Sequence, residues 1–272
     1  MEWKNIYRGM IMGATDLIPG ISGGTIAVLL GIYDRLIGAI NGVFTKQWKR
    51  HVLFLIPLGF GMVVSIFLLA NVIEWLLLHY PGPTKFFFIG LILGVLPFLF
   101  HKAEMKTHFK TKHYILLVVA LLLISSLNIF NPQEGDIITN LTFSTYVLLF
   151  FSGFIASSAM IAPGISGSFM LLLIGVYSTI ISALSNLHFD VILVTGAGIG
   201  IGFIVMSRIV GYFLSHYYTA TYAMIIGLVI GSAFVIFPGF ESEGFLLMLS
   251  IAAFAAGLLT AYLLGRIEYK ET

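Results

Sequence analysis

From residue 52 to residue 78 the chain carries a single charged side chain, Glu74, in an otherwise apolar run. A helix needs roughly 20 apolar residues to cross the hydrocarbon core of a bilayer, and this run exceeds that. Similar runs occupy 113–130, 190–214 and 245–265, with shorter ones at 85–101 and 221–237. In lipid every backbone polar group needs a partner within the protein, so spans of this kind must be helices. Composition agrees: only 10% of the 272 residues are charged and 59% are hydrophobic, too few charges to coat a soluble domain of this length. The expected class is an all-α polytopic membrane protein.

The same composition excludes several chemistries. The formal net charge is +2, with no basic domain or basic patch interleaved with aromatics, so nucleic acid is not an expected partner. The absence of cysteine removes disulfide frameworks, thiolate metal sites and cysteine nucleophiles. The seven histidines lie mostly at segment ends (His51, His79, His101, His113) without metal-ligand spacing, so neither a metal nor another cofactor is expected. The opening MEWKNIYRGM has no apolar core before a small-residue cleavage site, and no removable signal peptide is expected.

Two apolar segments, about 6–41 and 146–186, are each broken by Pro-Gly-Ile-Ser-Gly. Loop charge sets their orientation, because short cytoplasmic loops collect Lys and Arg. The loops 45–51 and 101–113 carry Lys46, Lys49, Arg50, Lys102, Lys106, Lys110 and Lys112 and should be cytoplasmic. The loops 131–140 and 238–244 contain acids but no Lys or Arg and should face outside. One alternating path satisfies these assignments with both termini cytoplasmic. Each broken segment then begins and ends on one side, the first opening from the cytoplasm and the second from outside.

The chain also repeats itself. An offset of 144 residues pairs Gly9 with Gly153, Pro19 with Pro163, Gly20 with Gly164, Ser22 with Ser166, Gly31 with Gly175 and Tyr33 with Tyr177. Two halves follow, 1–130 and 140–268, each a Pro/Gly-broken re-entrant segment and three transmembrane helices. Three is odd, so the second half should be inverted. Paired interruptions in inverted repeats point to a transporter's binding site; the bland alternative is small residues that only ease helix packing.

The interruption has its own chemistry. Pro19 and Gly20 suit the centre of a tight turn, after which Ser22, Gly23, Gly24 and Thr25 open a helix whose free N–H groups and hydroxyls can cradle an anion. Pro163, Gly164, Ser166, Gly167 and Ser168 repeat the arrangement. No P-loop lysine follows, so a phosphate or carboxylate fits better than a nucleotide. Ser22 and Ser166 also qualify simply as N-caps. Asp16, whose repeat partner is Met160, is a candidate to carry a proton or orient the loop. Arg208 is the basic residue expected deep enough to pair with a phosphate, unless it snorkels to the cytoplasmic face. Arg35, beside Asp34, and Glu74 are weaker candidates.

The stretch GATDLIPGISGGTIAVLLGIYDRLI with its echo APGISGSFMLLLIGVYSTII resembles the bacterial polyprenyl-phosphate transporter family over essentially the whole chain. The resemblance implies a bacterial plasma-membrane flippase returning undecaprenyl phosphate from the outer to the inner leaflet for cell-envelope synthesis. The residues Pro19 to Thr25 and Pro163 to Ser168 match the family pattern. The implied partners are the lipid phosphate and the bilayer, with protons as a candidate coupling ion and homo-oligomerisation left open. Undecaprenyl pyrophosphate phosphatases are the enzyme alternative, but their loop carries an arginine beside the serine, which neither copy has, and paired upstream glutamates. Glu2, Glu74 and Glu104 in the first half are not so spaced. A non-enzyme is expected on that ground. A small-anion carrier is the third reading.

Overall fold

The computed structural model describes residues 2–18, 21–127, 135–239 and 244–268. Among the described residues there are thirteen helices and no strand: α1 Lys4–Asp16, α2 Gly23–Leu29, α3 Tyr33–Gly42, α4 Trp48–His79, α5 Pro81–Lys102, α6 Met105–His108, α7 Thr111–Ser126, α8 Phe143–Ile161, α9 Gly167–Ile174, α10 Tyr177–Ser185, α11 Phe189–His216, α12 Tyr218–Ile236 and α13 Gly244–Glu268. Six of them (α4, α5, α8, α11, α12, α13) are long and apolar enough to cross a membrane. The pairs α2–α3 and α9–α10, bent by 119° and 110°, bring the total to eight if each is one broken span.

The bends have a local cause. Gly31 and Gly175 adopt φ of +66° and +83°, the left-handed region that glycine enters without a Cβ clash. Gly175 donates its N–H to the Leu171 and Leu172 carbonyls and so closes α9. Both bends sit where the sequence repeats.

Helix ends differ from the apolar runs. The run starting at residue 52 is only part of α4, because Trp48, Lys49, Arg50 and His51 continue the helix below the apolar stretch. Hydropathy marks the bilayer, whereas Lys and Arg are good helix formers. The expected crossing at 113–130 is α7, whose 16 residues end at Ser126; residues 128–130 lie outside the described part. Within the broken segments, α8 has 19 residues and is a candidate span, while α1 has 13.

The four most extensive helix pairings are α1 on α4, α8 on α11, α5 on α13 and α7 on α12. Each is made with bare backbone. A Cβ on Gly9 would strike the Leu58 carbonyl, and one on Gly61 the Ile6 carbonyl; Gly153 and Gly198 stand in the same way against the Thr195 and Phe150 carbonyls. Gly90 meets the Phe254 carbonyl, and 137 residues later Gly227 meets the Leu117 carbonyl, itself 137 residues before Phe254. Small residues let helices approach closely in lipid, where no hydrophobic force drives them together. The same contacts thus recur with the halves exchanged.

At the centre lies α2, all seven of whose residues are buried. Ile92 of α5 and Tyr222, Ile226 and Val229 of α12 belong to the same buried core. Outward, Phe67, Leu68, Leu193 and Met248 are exposed, as a lipid-facing surface requires.

Candidate functional site

The two broken segments meet. Gly164 donates its N–H to Thr25 Oγ1 at 2.8 Å, Ser22 Oγ donates to the Met160 carbonyl at 3.3 Å, and Tyr33 OH donates to the Ile161 carbonyl at 2.9 Å. Ser22, Thr25 and Tyr33 are buried, so these bonds form where water does not compete. Pro19 and Gly20 lie outside the described residues, and the turn expected of them is not described.

The first loop satisfies its own donors. Asp16, the last residue of α1, accepts the Gly23 N–H at 2.7 Å through its carboxylate, and Ser22 Oγ accepts the Gly24 N–H at 3.1 Å. Asp16 therefore orients the loop, and Ser22 is a true N-cap. Gly23 lets the carboxylate come close: a Cβ there would stand 2.9 Å from both Asp16 carboxylate oxygens and push them away.

The second loop differs at the matching positions. Gly164 turns with φ +89°, pressed so close to α12 that a Cβ would lie 2.5 Å from the Leu228 carbonyl oxygen. Ser166 is the N-cap residue of α9, yet its Oγ pairs with Ser168 Oγ at 2.9 Å instead of capping the helix. The first turn of α9 thus keeps N–H groups without a side-chain cap. Where Asp16 faces Gly23, the side chain of Met160 faces Gly167, so close that a Cβ there would be 2.8 Å from its sulfur. A thioether offers only a weak acceptor. One loop is closed by its own carboxylate; in the other, among the described residues, no side chain caps the first turn.

Two cavities flank the junction. One of about 200 Å³ is bordered by Asp16, Gly23, Gly24, Met160 and Ile161. The other, about 620 Å³, is an apolar groove bordered by Tyr33, Ala162, Pro163, Met206, Phe213 and Leu228.

Asp16, Ser22, Gly23, Gly24, Thr25, Pro163 and Gly164 are brought together, with Ser166, Gly167 and Ser168 alongside. Arg208 is not. It is exposed on α11, next to Ser207, which is buried and exchanges hydrogen bonds with Asn41 of α3. Each helical residue turns the side chain by about 100°, so the face meeting α3 is that of Ser207. Glu74 is exposed on α4. Arg35 is exposed and pairs with Glu2 at 2.6 Å, a hydrogen bond that holds the Glu2 carboxyl below its ordinary range. One participant escaped sequence reasoning, Tyr33, visible only as a repeated tyrosine; Asp34, weighed with Arg35, lies away from the loops, accepting from Tyr222 OH at 2.9 Å and pairing with Lys102 at 2.8 Å. Among the described residues no group of three or more His, Asp or Glu is placed to hold a metal ion.

A family description, undecaprenyl phosphate translocase-like, matches residues 12–263, a stretch that includes both loops. The chain belongs to this family. A Staphylococcus aureus (strain NCTC 8325 / PS 47) relative named polyprenyl-phosphate transporter is 42% identical over 274 residues, covering 98% of this chain and 97% of that protein. A Vibrio cholerae serotype O1 (strain ATCC 39315 / El Tor Inaba N16961) protein of the same name is 37% identical over 256 residues, 89% of this chain and 80% of the relative. No solved structure is a significant match. The resemblance drawn from the doubled Pro-Gly-Ile-Ser-Gly motif is thereby shown, and the translocase-like family's named relatives are transporters rather than phosphatases.

Proposed function

We propose that this chain carries a polyprenyl phosphate, undecaprenyl phosphate in the cell, from the outer to the inner leaflet of the bacterial plasma membrane. The observation that carries this reading is the junction of the two Pro-Gly segments by three side-chain-to-backbone hydrogen bonds, with an apolar groove at its edge. A polyprenyl phosphate has an anionic head and a long apolar tail, and the junction offers something to each. The uncapped first turn of α9, with the Ser166 and Ser168 hydroxyls, supplies donors to the phosphate oxygens. The groove beside Pro163 takes the first isoprene units while the rest of the tail stays in lipid. Bringing an ionised phosphate to this depth is the costly step, and convergent charge-assisted hydrogen bonds offset it.

In this reading the halves are inverted and both termini are cytoplasmic. Loop charge and the recurrence of helix contacts with the halves exchanged support that arrangement. The first loop opens inward and the second outward, and the head passes from one to the other as the bonds between them break and re-form. Asp16 is the coupling residue: its carboxylate occupies the Gly23 N–H, and taking up a proton there removes a negative charge from the path of the phosphate. Asp16→Asn should abolish the response of transport to an imposed pH gradient while lipid binding persists.

The test is movement of a labelled isoprenyl phosphate between leaflets of proteoliposomes, with phosphate release followed from the matching pyrophosphate. Protein-dependent movement without release is expected. Release without movement would turn the reading to the phosphatase, and transport of inorganic phosphate alone to a small-anion carrier.

A further inference from the structure

A third cavity, of about 360 Å³, lies where the start of α1, the α2–α3 bend and the end of α13 come together, bordered by Glu2, Lys4, Arg8, Gly31, Arg35 and Glu268. Three cationic and two anionic side chains share this small space. The two arginines are held differently. Arg8 is buried, its Nε and Nη2 donating to the Glu268 carboxylate at 3.1 and 2.5 Å and its Nη1 to Asn5 Oδ1 at 3.0 Å. Its fork is committed to Glu268, and it forms a fixed wall. Arg35 lies with its guanidinium 4.9 Å over the Phe54 ring, which orients it.

Among the described residues the Arg35 edge pairs with the Glu2 carboxylate, at 2.6 Å, and these two side chains are 53% and 46% exposed. A pair between half-exposed charges contributes little net stability. A phosphate, with more charge and a geometry that guanidinium matches two oxygens at a time, can replace such a carboxylate. Glu2 thus stands where an external anion would. The repeat does not reproduce the site: at the offset of 144 residues, Arg8 and Arg35 correspond to Ser152 and Thr179. Among the described residues the cavity has no arginine-lined counterpart at the repeated positions, and it lies on the side carrying the basic loops.

We propose that this cavity is a second phosphate site, which receives the phosphomonoester group after it leaves the paired loops toward the cytoplasm. The proposal rests on the transport reading for its sidedness and for the lipid as source of the phosphate. It adds a second asymmetry to the difference between the loops, since the repeat places no arginine at the corresponding positions of the other half.

Equilibrium binding to the full chain in nanodiscs tests it, with geranylgeranyl phosphate and inorganic phosphate as probes. Arg35→Gln should weaken binding of geranylgeranyl phosphate by about tenfold or more, the loss of one charge-assisted contact. Glu2→Gln should tighten it, because the competing carboxylate is gone. That opposite sign separates a site from damage to the fold. Arg35→Lys, which keeps the charge but loses the planar fork, should fall between. Unchanged affinity for both probes in Arg35→Gln and Glu2→Gln overturns the cavity as a phosphate site. The transport reading survives that result if the wild type still moves labelled lipid phosphate in proteoliposomes. Arg35-dependent binding of inorganic phosphate without binding of geranylgeranyl phosphate keeps the phosphate site and overturns the lipid as its source.

Discussion

Asp16 and Met160 occupy matching positions in two nearly identical motifs, and the difference between a carboxylate and a thioether leaves the two loops with different hydrogen bonds. Asp16 takes the Gly23 N–H; Met160 leaves the corresponding turn of α9 to other acceptors. Ser166→Ala with Ser168→Ala should therefore reduce transport at least tenfold, by loss of two donors to the phosphate at roughly 1 kcal/mol each, with little change in thermal stability in detergent. Thr25→Val should act the other way round. It leaves the buried Gly164 N–H without its acceptor, at about 1–3 kcal/mol, and should lower the melting temperature as well as transport. The motif was legible because proline, glycine and serine in that order have few uses inside a membrane. Arg208 was misplaced because hydropathy gives depth along α11 but not the direction in which a side chain points, which is set by the Ser207–Asn41 contact.

Among the elements, the helices were legible and their ends were not. Apolar runs located α4, α5, α11, α12 and α13, but a charged turn from Trp48 to His51 lengthens α4, and the proline-led Pro81–Thr84 lengthens α5, beyond them. The bends at Gly31 and Gly175 are consequences of positive φ that a Gly-Ile-Tyr or Gly-Val-Tyr sequence does not announce. Glycine substitutions separate conformation from packing. Gly175→Ala, at φ +83° with nothing near its Cβ position, should cost about 1–2 kcal/mol from backbone strain alone. Gly196→Ala in α11, which also has open space around it, should be neutral or stabilise by up to about 1 kcal/mol, as alanine is the better helix former. Gly257→Ala, which would drive a methyl into the Phe87 carbonyl, should separate α5 from α13 and lower stability most of the three. Thermal unfolding in one detergent ranks them.

For the whole molecule, the sequence repeat extends into packing. Gly90 with Phe254 and Gly227 with Leu117 are the same contact made by opposite halves, so α5 and α12 exchange roles, as do α7 and α13. The kinship of α5 and α12 is legible in FIGLILG (88–94) and IIGLVIG (225–231); the exchange of packing partners emerges only when the carbonyl facing each glycine is known. The junction of the loops was likewise hidden, since Thr25 and Gly164 are separated by most of the first half and by α8. Asp16 and the Arg8–Arg35 cavity have no counterpart at the 144-residue offset, and in the proposed function they are what gives the repeated scaffold a direction.

The most direct test of the central claim, that a lipid phosphate is handled at the paired loops, is photo-crosslinking with an isoprenyl phosphate carrying its reactive group next to the head. The account predicts labelled peptides from the 160–169 segment and the facing surfaces of α11 and α12, with labelling reduced by the Ser166→Ala, Ser168→Ala double substitution. Labelling confined to the exposed faces of α4 and α13, and indifferent to that substitution, would contradict it.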